Sequence, residues 1–188
     1  MKESEQRRFN LDGKLIVLTG GAGYLAEEFA KEILKFNGRV ILVDINSKIL
    51  KLRIKKFEKK YRNKIFTYKC DLTSELQVKK MFNDIGKKIG IPNVLINNAA
   101  SNPNMIKMPK DGNNFENFSI KQWQFDIASG LTSAFLCTKY FGKMNTSQSR
   151  VILNISSDLG LIAPNQGLYK GKVRNNYKPV SYSVVKHG

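Results

Sequence analysis

The stretch TGGAGYLA, residues 19–26, follows a short apolar run and opens a segment whose apolar residues recur at helical spacing. Gly20 permits a tight turn, the missing Cβ at Gly23 lets a pyrophosphate approach the backbone, and small Ala26 allows a helix to pack closely on a strand. Free N–H groups at the start of such a helix attract anions. The stretch therefore predicts a dinucleotide-binding turn, with cofactor contacts from Gly20, Gly23, Tyr24 and Leu25.

Five short apolar, β-branched runs alternate with stretches of helical spacing along the chain. Runs without polar alternation are typical of strands in a parallel sheet that is covered on both faces. Right-handed crossovers between parallel strands make such a sheet doubly wound. We expect a three-layer, Rossmann-like α/β fold, a single dinucleotide-binding domain over residues 1–188, with strands at residues 15–18, 40–43, 65–68, 94–96 and 151–155.

Three of the intervening stretches carry signals for the start or end of a helix. The helix over residues 24–36 is expected to end at Asn37-Gly38, because glycine is favoured just past a helix end. Ser74 with Gln77, and Ser119 with Gln122, have the spacing of a capping box, in which each side chain bonds the backbone N–H of the other residue. These pairs predict two further helix starts.

The composition excludes several classes of protein. The chain is 41% apolar and 25% charged over 188 residues, which indicates a globular domain of ordinary size. No apolar run is long enough to span a membrane or to serve as a signal peptide, so we expect a cytoplasmic protein without a membrane partner. Cys70, Cys137 and His187 are too few for a disulfide framework or a zinc site, and no metal is expected.

The net charge of +17 raises the question of a nucleic-acid partner. Of the 32 basic residues 25 are Lys and 7 are Arg, whereas base and phosphate recognition favours Arg. The densest basic run, residues 51–64, has Leu52, Ile54, Phe57 and Tyr61 at spacings that can line one face of a helix. No stacking aromatics are interleaved in it. We favour a solvated helix face here, with no nucleic-acid partner.

An acidic residue ends the second predicted strand. Asp44 stands 24 residues after Gly20, where a carboxylate can accept hydrogen bonds from ribose hydroxyls. It would repel a 2′-phosphate, and no basic residue stands in the glycine turn to offset that repulsion. The sequence therefore predicts NAD as the cofactor, with NADP disfavoured; a plain helix or turn cap is the alternative for Asp44.

Four more motifs occur in order along the chain, the first three of them after the third, fourth and fifth predicted strands. They are CDLT at residues 70–73, NNAA at 97–100, NISS at 154–157 and YSVVK at 182–186. Together with the glycine turn and Asp44, in this order, they resemble the short-chain dehydrogenase/reductase family over residues 11–188. The combination is similar to members associated with bacterial surface-sugar and nonulosonate pathways, which implies sugar metabolism. The resemblance further implies cofactor contacts from Asp71, Leu72, Asn97, Ala99, Tyr182 and Lys186, and a catalytic group of Ser157, Tyr182 and Lys186.

The chemistry explains these residue types. Hydride transfer to a carbonyl carbon must be matched by a proton on its oxygen, which a tyrosine can supply. A free phenol has a pKa near 10, so a neighbouring cation must stabilise the phenolate. Lys186 is one helical turn after Tyr182 and on the same face. Ser157 would hold the substrate oxygen; as an alternative, a serine after a strand only caps a helix.

The chain departs from the family pattern in three ways. Gly130 occupies the place of the family's active-site Asn, which predicts an altered proton route. Ser157 and Tyr182 are 25 residues apart, about twice the usual separation. The chain also stops soon after Lys186, so we expect a C-terminally truncated fold whose last strands are missing, and a homo-oligomer if the protein is full length.

The insertion between Ser157 and Tyr182 is basic. It carries Lys170, Lys172, Arg174 and Lys178 and no acid after Asp158. We expect a lid that helps to bind a polar, anionic or sugar-like small molecule, with a solvated loop as the alternative. The function predicted is an NAD-dependent oxidoreductase that interconverts an alcohol and a ketone. A sugar-nucleotide epimerase or dehydratase, and a non-catalytic nucleotide-binding fragment, remain open.

Overall fold

The computed structural model describes residues 9–101, 113–145, 147–169 and 177–188. The chain divides into two compact units. Met1–Ala99 with Ala134–Asn154 form the sheet unit, and Ala100–Ser133 with Ile155–Gly188 form the helical unit. The expectation of one domain over residues 1–188 stays a prediction.

The sheet unit contains five parallel strands in the order β3-β2-β1-β4-β5. The strands are β1 Leu15–Thr19, β2 Arg39–Asp44, β3 Ile65–Lys69, β4 Val94–Asn97 and β5 Val151–Asn154. The helices are α1 Tyr24–Lys35, α2 Ser47–Lys56, α3 Glu75–Lys88, α4 Ile120–Ile127, α5 Ser133–Gly142 and α6 Val180–His187. The strand order reverses beside β1, which confirms the Rossmann-like α/β fold and puts the ends of β1, β2 and β4 side by side.

Burial separates the central strands from the edge. Every residue of β1 is buried, as are the four central residues of β2. All four residues of β5 are exposed. The expectation that every strand is covered on both faces is therefore wrong for β5, which lies at the edge of the described sheet and has a neighbouring strand, β4, on one side, so fewer elements flank its side chains.

The helix signals are confirmed in part. Asn37 adopts a φ of 70° after α1, and the N–H of Gly38 donates to the carbonyl of Ile33 at 2.9 Å, as in a Schellman motif. Ser74 accepts from the backbone of Gln77 at 3.5 Å, but the reciprocal half of the box is absent there, because the Gln77 side chain accepts from Asp71 N instead.

The second box has the same outcome. Ser119 accepts from the backbone of Gln122 at 3.1 Å, and the Gln122 side chain donates to Asp126 at 2.8 Å rather than turning back to the cap. Both predicted helix starts are confirmed. The prediction that each Gln side chain bonds back to the N–H of its capping serine is wrong.

The basic run over residues 51–64 does not form one helix. α2 ends at Lys56, Phe57 is extended and buried, and a short 3₁₀ turn covers Lys59–Tyr61. Leu52 is 60% exposed, so the expected apolar face is incomplete. The extended residue breaks the helical spacing, and the Lys side chains spread over two short elements.

The core of the sheet unit buries both cysteines, Cys70 and Cys137. Burial raises the pKa of the Cys70 thiol to about 11 and that of Cys137 to about 12. Across the described ranges, no group of three or more His, Cys, Asp or Glu side chains is arranged to hold a metal. Each helix in that part of the chain is too short or too polar to cross a bilayer.

Candidate active site

Most of the predicted cofactor residues lie in the sheet unit, whereas the predicted catalytic residues, of which Tyr182 and Lys186 are also predicted cofactor contacts, lie in the helical unit. Gly20 directly follows β1 with a φ of +66°, and a Cβ there would lie 2.9 Å from the Cα of Ala99. Its carbonyl accepts from Gly23 N at 2.9 Å, which closes the turn. Tyr24 and Leu25, in the first turn of α1, are 79% and 45% exposed. The turn leaves the amino end of α1 open to an anion.

Gly21 is a constraint that the sequence reasoning missed. A Cβ at this position would lie 2.7 Å from Leu42 Cβ and 2.9 Å from Leu42 Cα on β2. The Gly21 N–H also donates to the carbonyl of Val43 at 2.9 Å. The doubled glycine of TGGAG was the available signal, because only a residue without a side chain lets the turn lie against a neighbouring strand.

Thr19 is a second missed residue, and it organises the ends of β1 and β4. Its buried hydroxyl accepts from Asn98 N at 2.9 Å and Ala99 N at 3.0 Å, and it donates to the carbonyl of Ile96 at 3.2 Å. The Asn98 side chain donates to Thr19 O at 3.0 Å. One hydroxyl therefore places the predicted ribose contact, Ala99, against the Gly20 turn.

Asp44 is oriented by two backbone N–H groups. Its Oδ2 accepts from Ala22 N at 3.1 Å and its Oδ1 accepts from Asn46 N at 2.9 Å. Each carboxylate oxygen can accept more than one hydrogen bond, so both keep capacity for ribose hydroxyls. The turn-capping alternative and the ribose-binding prediction are thus compatible for this side chain.

The third strand is followed by a local turn. Asp71 Oδ1 accepts from Thr73 N at 3.0 Å and from Thr73 Oγ1 at 2.7 Å. Leu72 is buried in the core of the sheet unit. The adenine contact predicted for these two residues stays a prediction, and Asp71 is the more accessible of the pair.

Asn97 lies at the end of β4 with its side chain among buried polar groups. Its Nδ2 donates to Asn154 Oδ1 at 2.8 Å and to Thr138 Oγ1 at 3.2 Å. Its Oδ1 is buried and has no hydrogen-bond partner within the described residues. A buried amide oxygen in this state retains the capacity to accept a donor from a ligand.

Tyr182 and Lys186 lie one turn apart on α6. The Lys186 Nζ is 6.0 Å from the centre of the Tyr182 ring and donates to the carbonyl of Ile155 at 2.7 Å. Burial lowers the pKa of Lys186, and the nearby charge of Lys178 lowers it further. The i, i+4 spacing thus puts this ammonium near the ring, with its hydrogen bond made to the backbone.

Lys178 is closer to the tyrosine than Lys186, and the sequence did not predict this contact. Its Nζ lies 3.6 Å from the centre of the Tyr182 ring, a cation–π contact. Gln166 fixes the backbone of Lys178 with two hydrogen bonds. The Gln166 side chain donates to Lys178 O at 3.2 Å and accepts from Lys178 N at 2.9 Å. Burial lowers the pKa of Lys178. The other predicted lid cations, Lys170, Lys172 and Arg174, lie outside the described residues.

Ser157 begins a 3₁₀ turn over Asp158–Gly160. Its Oγ accepts from Leu159 N at 3.3 Å and donates to Asp158 Oδ1 at 2.8 Å. That hydrogen bond lowers the pKa of Asp158. Ser157 therefore caps the turn, as the alternative had it, and stays partly accessible for a ligand.

Helix packing explains why a glycine, Gly130, stands where the family has an asparagine. Gly130 is buried in a π-helical segment, Ala128–Thr132, and a Cβ there would overlap Val185 Cγ1 on α6. The family's Asn would collide with that valine. A buried hydrogen bond of 2.5 Å from Ser181 Oγ to Asp126 Oδ2 also joins α6 to α4. Close helix contact thus replaces the Asn side chain.

A cavity of about 770 Å³ lies in the helical unit. α6 lines it with Val180, Ser183, Val184 and His187, which share one helix face. Tyr182 and Lys186 lie on another face of the same helix. The cavity and the Tyr182 ring nevertheless share one neighbour, because Lys178 lines the cavity and also contacts the ring.

A parallel sheet in the Rossmann order, with a glycine turn after its first strand, defines the class of this fold. Residues 14–170 match the family model of short chain dehydrogenase, and the chain belongs to that family. The family membership inferred from the motifs is thereby confirmed, and the site roles that they imply stay predictions.

Named relatives agree with this membership. The chain is 27% identical over 180 residues to 15-hydroxyprostaglandin dehydrogenase (NAD(+)) of Macaca fascicularis, covering 95% of this chain and 59% of that protein. It is 29% identical over 184 residues to the short chain dehydrogenase/reductase dpfgG of Gibberella zeae, covering 95% and 61%. The chain thus spans about three fifths of the length of these relatives.

Solved structures share the fold. A Haemophilus influenza protein assigned as a D-mannonate oxidoreductase, with bound NAD, has a TM-score of 0.75 at 23% identity, covering 97% of this chain and 64% of that one. A short chain dehydrogenase from Mycobacterium smegmatis has a TM-score of 0.76 at 21% identity, covering 96% and 68%.

Proposed function

We propose that the protein to which this chain belongs is an NAD-dependent oxidoreductase that interconverts an alcohol and a ketone. The observation that carries the proposal is the Tyr182 ring with two ammonium groups beside it, Lys178 at 3.6 Å and Lys186 at 6.0 Å. A tyrosine in that setting is suited to exchange a proton with a substrate oxygen.

The sheet unit supports the cofactor half of the proposal. The Gly20 turn, closed by the Gly23 N–H, leads into the amino end of α1, and the unpartnered Oδ1 of Asn97 can accept a donor. Asp44 would hold the ribose hydroxyls, with further contacts from Tyr24, Leu25, Asp71, Leu72 and Ala99. Bound NAD supplies a hydride acceptor and NADH a hydride donor. A relative whose name specifies NAD(+) supports NAD over NADP.

The residues of the helical unit would handle the proton. During reduction of a ketone, the Tyr182 phenol donates its proton to the substrate oxygen, and during oxidation of the alcohol the phenolate takes it back. Lys178 and Lys186 stabilise the phenolate between these steps. Ser157 holds the substrate oxygen through its hydroxyl, which first exchanges its bond to Asp158 for one to the substrate. Lys186 additionally contacts the cofactor in this proposal.

The substrate we infer is a small polar, anionic or sugar-like alcohol. The support is the basic insertion with Lys170, Lys172, Arg174 and Lys178. We also infer a cytoplasmic location and, for the complete protein, a homo-oligomer. A sugar-nucleotide epimerase or dehydratase is favoured only by the spacing of Gly20, Gly23 and Ala26, and it would retain its nicotinamide without net reduction.

The test is titration of the protein with NADH and with NADPH. Binding is monitored by energy transfer from Trp123, the single tryptophan, to the bound dinucleotide. We expect NADH to bind more tightly than NADPH. A panel of sugars, sugar phosphates and hydroxy acids with NAD then identifies the alcohol by the appearance of NADH. Failure of both dinucleotides to bind contradicts the proposal.

A further inference from the structure

α2 brings a cation to the glycine turn. Arg53 Nε donates to the carbonyl oxygen of Ala22 at 3.3 Å, and the N–H of the same Ala22 donates to Asp44 Oδ2 at 3.1 Å. Ala22 thus joins the guanidinium to the acid that the proposed function assigns to the ribose. An arginine beside this acid is the group that accommodates a 2′-phosphate. The glycine turn has no basic residue in its own sequence, but α2 places the positive charge of Arg53 next to it.

Glu27 on α1 forms an ion pair with Arg53. Its carboxylate contacts Arg53 Nη1 in a direct ion pair, and it also lies 3.3 Å from Lys56 Nζ and 3.4 Å from Lys31 Nζ. The Glu27 side chain is 10% exposed and that of Arg53 19% exposed, so solvent and salt screen the pair weakly. A phosphate would have to compete with this carboxylate for Arg53.

We propose that Glu27 is a positioning residue that withholds Arg53 from a 2′-phosphate, and that it shares with Asp44 the discrimination between NAD and NADP. Glu27 acts through Arg53 and not by touching the cofactor. The inference rests on the proposed dinucleotide site. A simple clamp between α1 and α2 is the competing role, and it predicts no change in cofactor ratio when the carboxylate is neutralised.

The test is the Glu27→Gln variant, which keeps the size of the side chain and removes its charge. NADH and NADPH affinities are measured by the transfer of Trp123 fluorescence, together with the melting temperature. We expect the ratio of NADPH to NADH affinity to rise roughly tenfold, as one charge-assisted contact becomes available. In Glu27→Gln/Arg53→Met the gain should disappear.

The matched control is Glu28→Gln. Glu28 neighbours Glu27 on the same helix and pairs with Lys31 at 2.7 Å, so this variant makes the same change in net charge without releasing Arg53. We expect its cofactor ratio to equal that of the wild type. An equal gain in Glu28→Gln, or a gain that persists without Arg53, would show a general charge effect and overturn the inference.

Two further outcomes are decisive. If Glu27→Gln does not fold, Arg53→Met tests the same arrangement, because removing an arginine that is already withheld should leave the ratio unchanged; a selective loss of NADPH affinity overturns the inference. A wild type that binds NADH, with an unchanged ratio in a folded Glu27→Gln, overturns the inference alone. A wild type that binds neither dinucleotide overturns both this inference and the proposed function.

Discussion

The glycine turn and the Tyr182 helix each have one glycine in close contact with another element, and these two contacts differ in kind. A Cβ at Gly21 would meet the Cα, the carbonyl carbon and the Cβ of Leu42, whereas one at Gly130 would meet side-chain atoms of Val185. Backbone cannot be removed by mutation, but a side chain can. We therefore expect that a second substitution cannot relieve the clash made by a side chain at Gly21. A second substitution that shortens Val185 should relieve the clash made by a side chain at Gly130.

The largest expected effect tests the helix itself. Tyr182→Phe removes the hydroxyl and keeps the ring against Lys178. With an alcohol from the substrate panel, we expect kcat to fall by roughly 10²- to 10⁴-fold, the range of general acid–base catalysis, because no group replaces the proton donor. NADH affinity should change little. Retention of wild-type kcat would remove Tyr182 from the proposed mechanism.

The next effect tests the difference between the two kinds of contact. Gly21→Ala and Gly130→Ala should each lower the free energy of unfolding by about 1–3 kcal/mol, as overpacking does, measured by urea titration. Gly130→Ala/Val185→Ala should recover much of the loss, and Gly21→Ala/Leu42→Ala should not. Equal recovery in both pairs would contradict the comparison.

The next prediction concerns cofactor preference, and its expected free-energy change is comparable to or smaller than that of the glycine variants. Asp44→Ala removes both the ribose acceptor and the charge that repels a 2′-phosphate. We expect the NAD/NADP affinity ratio to fall by the equivalent of about 1–3 kcal/mol, measured by dinucleotide titration. Asp12→Ala is the control, since Asp12 lies outside the turn. An unchanged ratio would exclude Asp44 from the site.

The smallest effect concerns alkaline pH, where Tyr68 of the sheet unit and Lys178 of the helical unit should affect stability with opposite sign. Burial is the larger cause, and the hydrogen bond to Asp84 the second, of a rise in the Tyr68 pKa from 10.0 to about 12. The stability that Tyr68 contributes is complete below pH 10 and is lost as the pH rises towards 12. Lys178 has a lowered pKa, so its contribution is complete above its ordinary value of 10.5 and is lost as the pH falls through its folded-state pKa.

Urea unfolding between pH 8 and pH 11 checks this prediction. The wild type should lose stability relative to Tyr68→Phe as the pH rises above about 10, and gain stability relative to Lys178→Met as the pH approaches 10.5. Parallel curves for either variant would show that the environment of that residue does not shift its titration.

Local patterns in the sequence were enough for much of this protein. The apolar runs predict all five strands, because a short continuous apolar run between turn signals is typical of a strand in a parallel sheet. The Gly20 turn and Asp44 follow from spacing along a short segment. The i, i+4 spacing of Tyr182 and Lys186 is a property of any helix. Each of these signals lies within a few residues of the feature that it predicts.

Contacts between distant segments depended on the tertiary structure. Gln166 meets Lys178, Glu27 meets Arg53, and Gly130 meets Val185, and none of these pairs is marked by a spacing rule. The exposure of β5 likewise follows from its place in the strand order and not from its apolar composition. Hydrophobic periodicity reports which face of an element is buried. It carries no information on which other element covers that face, so the charges around the glycine turn and the tyrosine emerge only when the chain is folded.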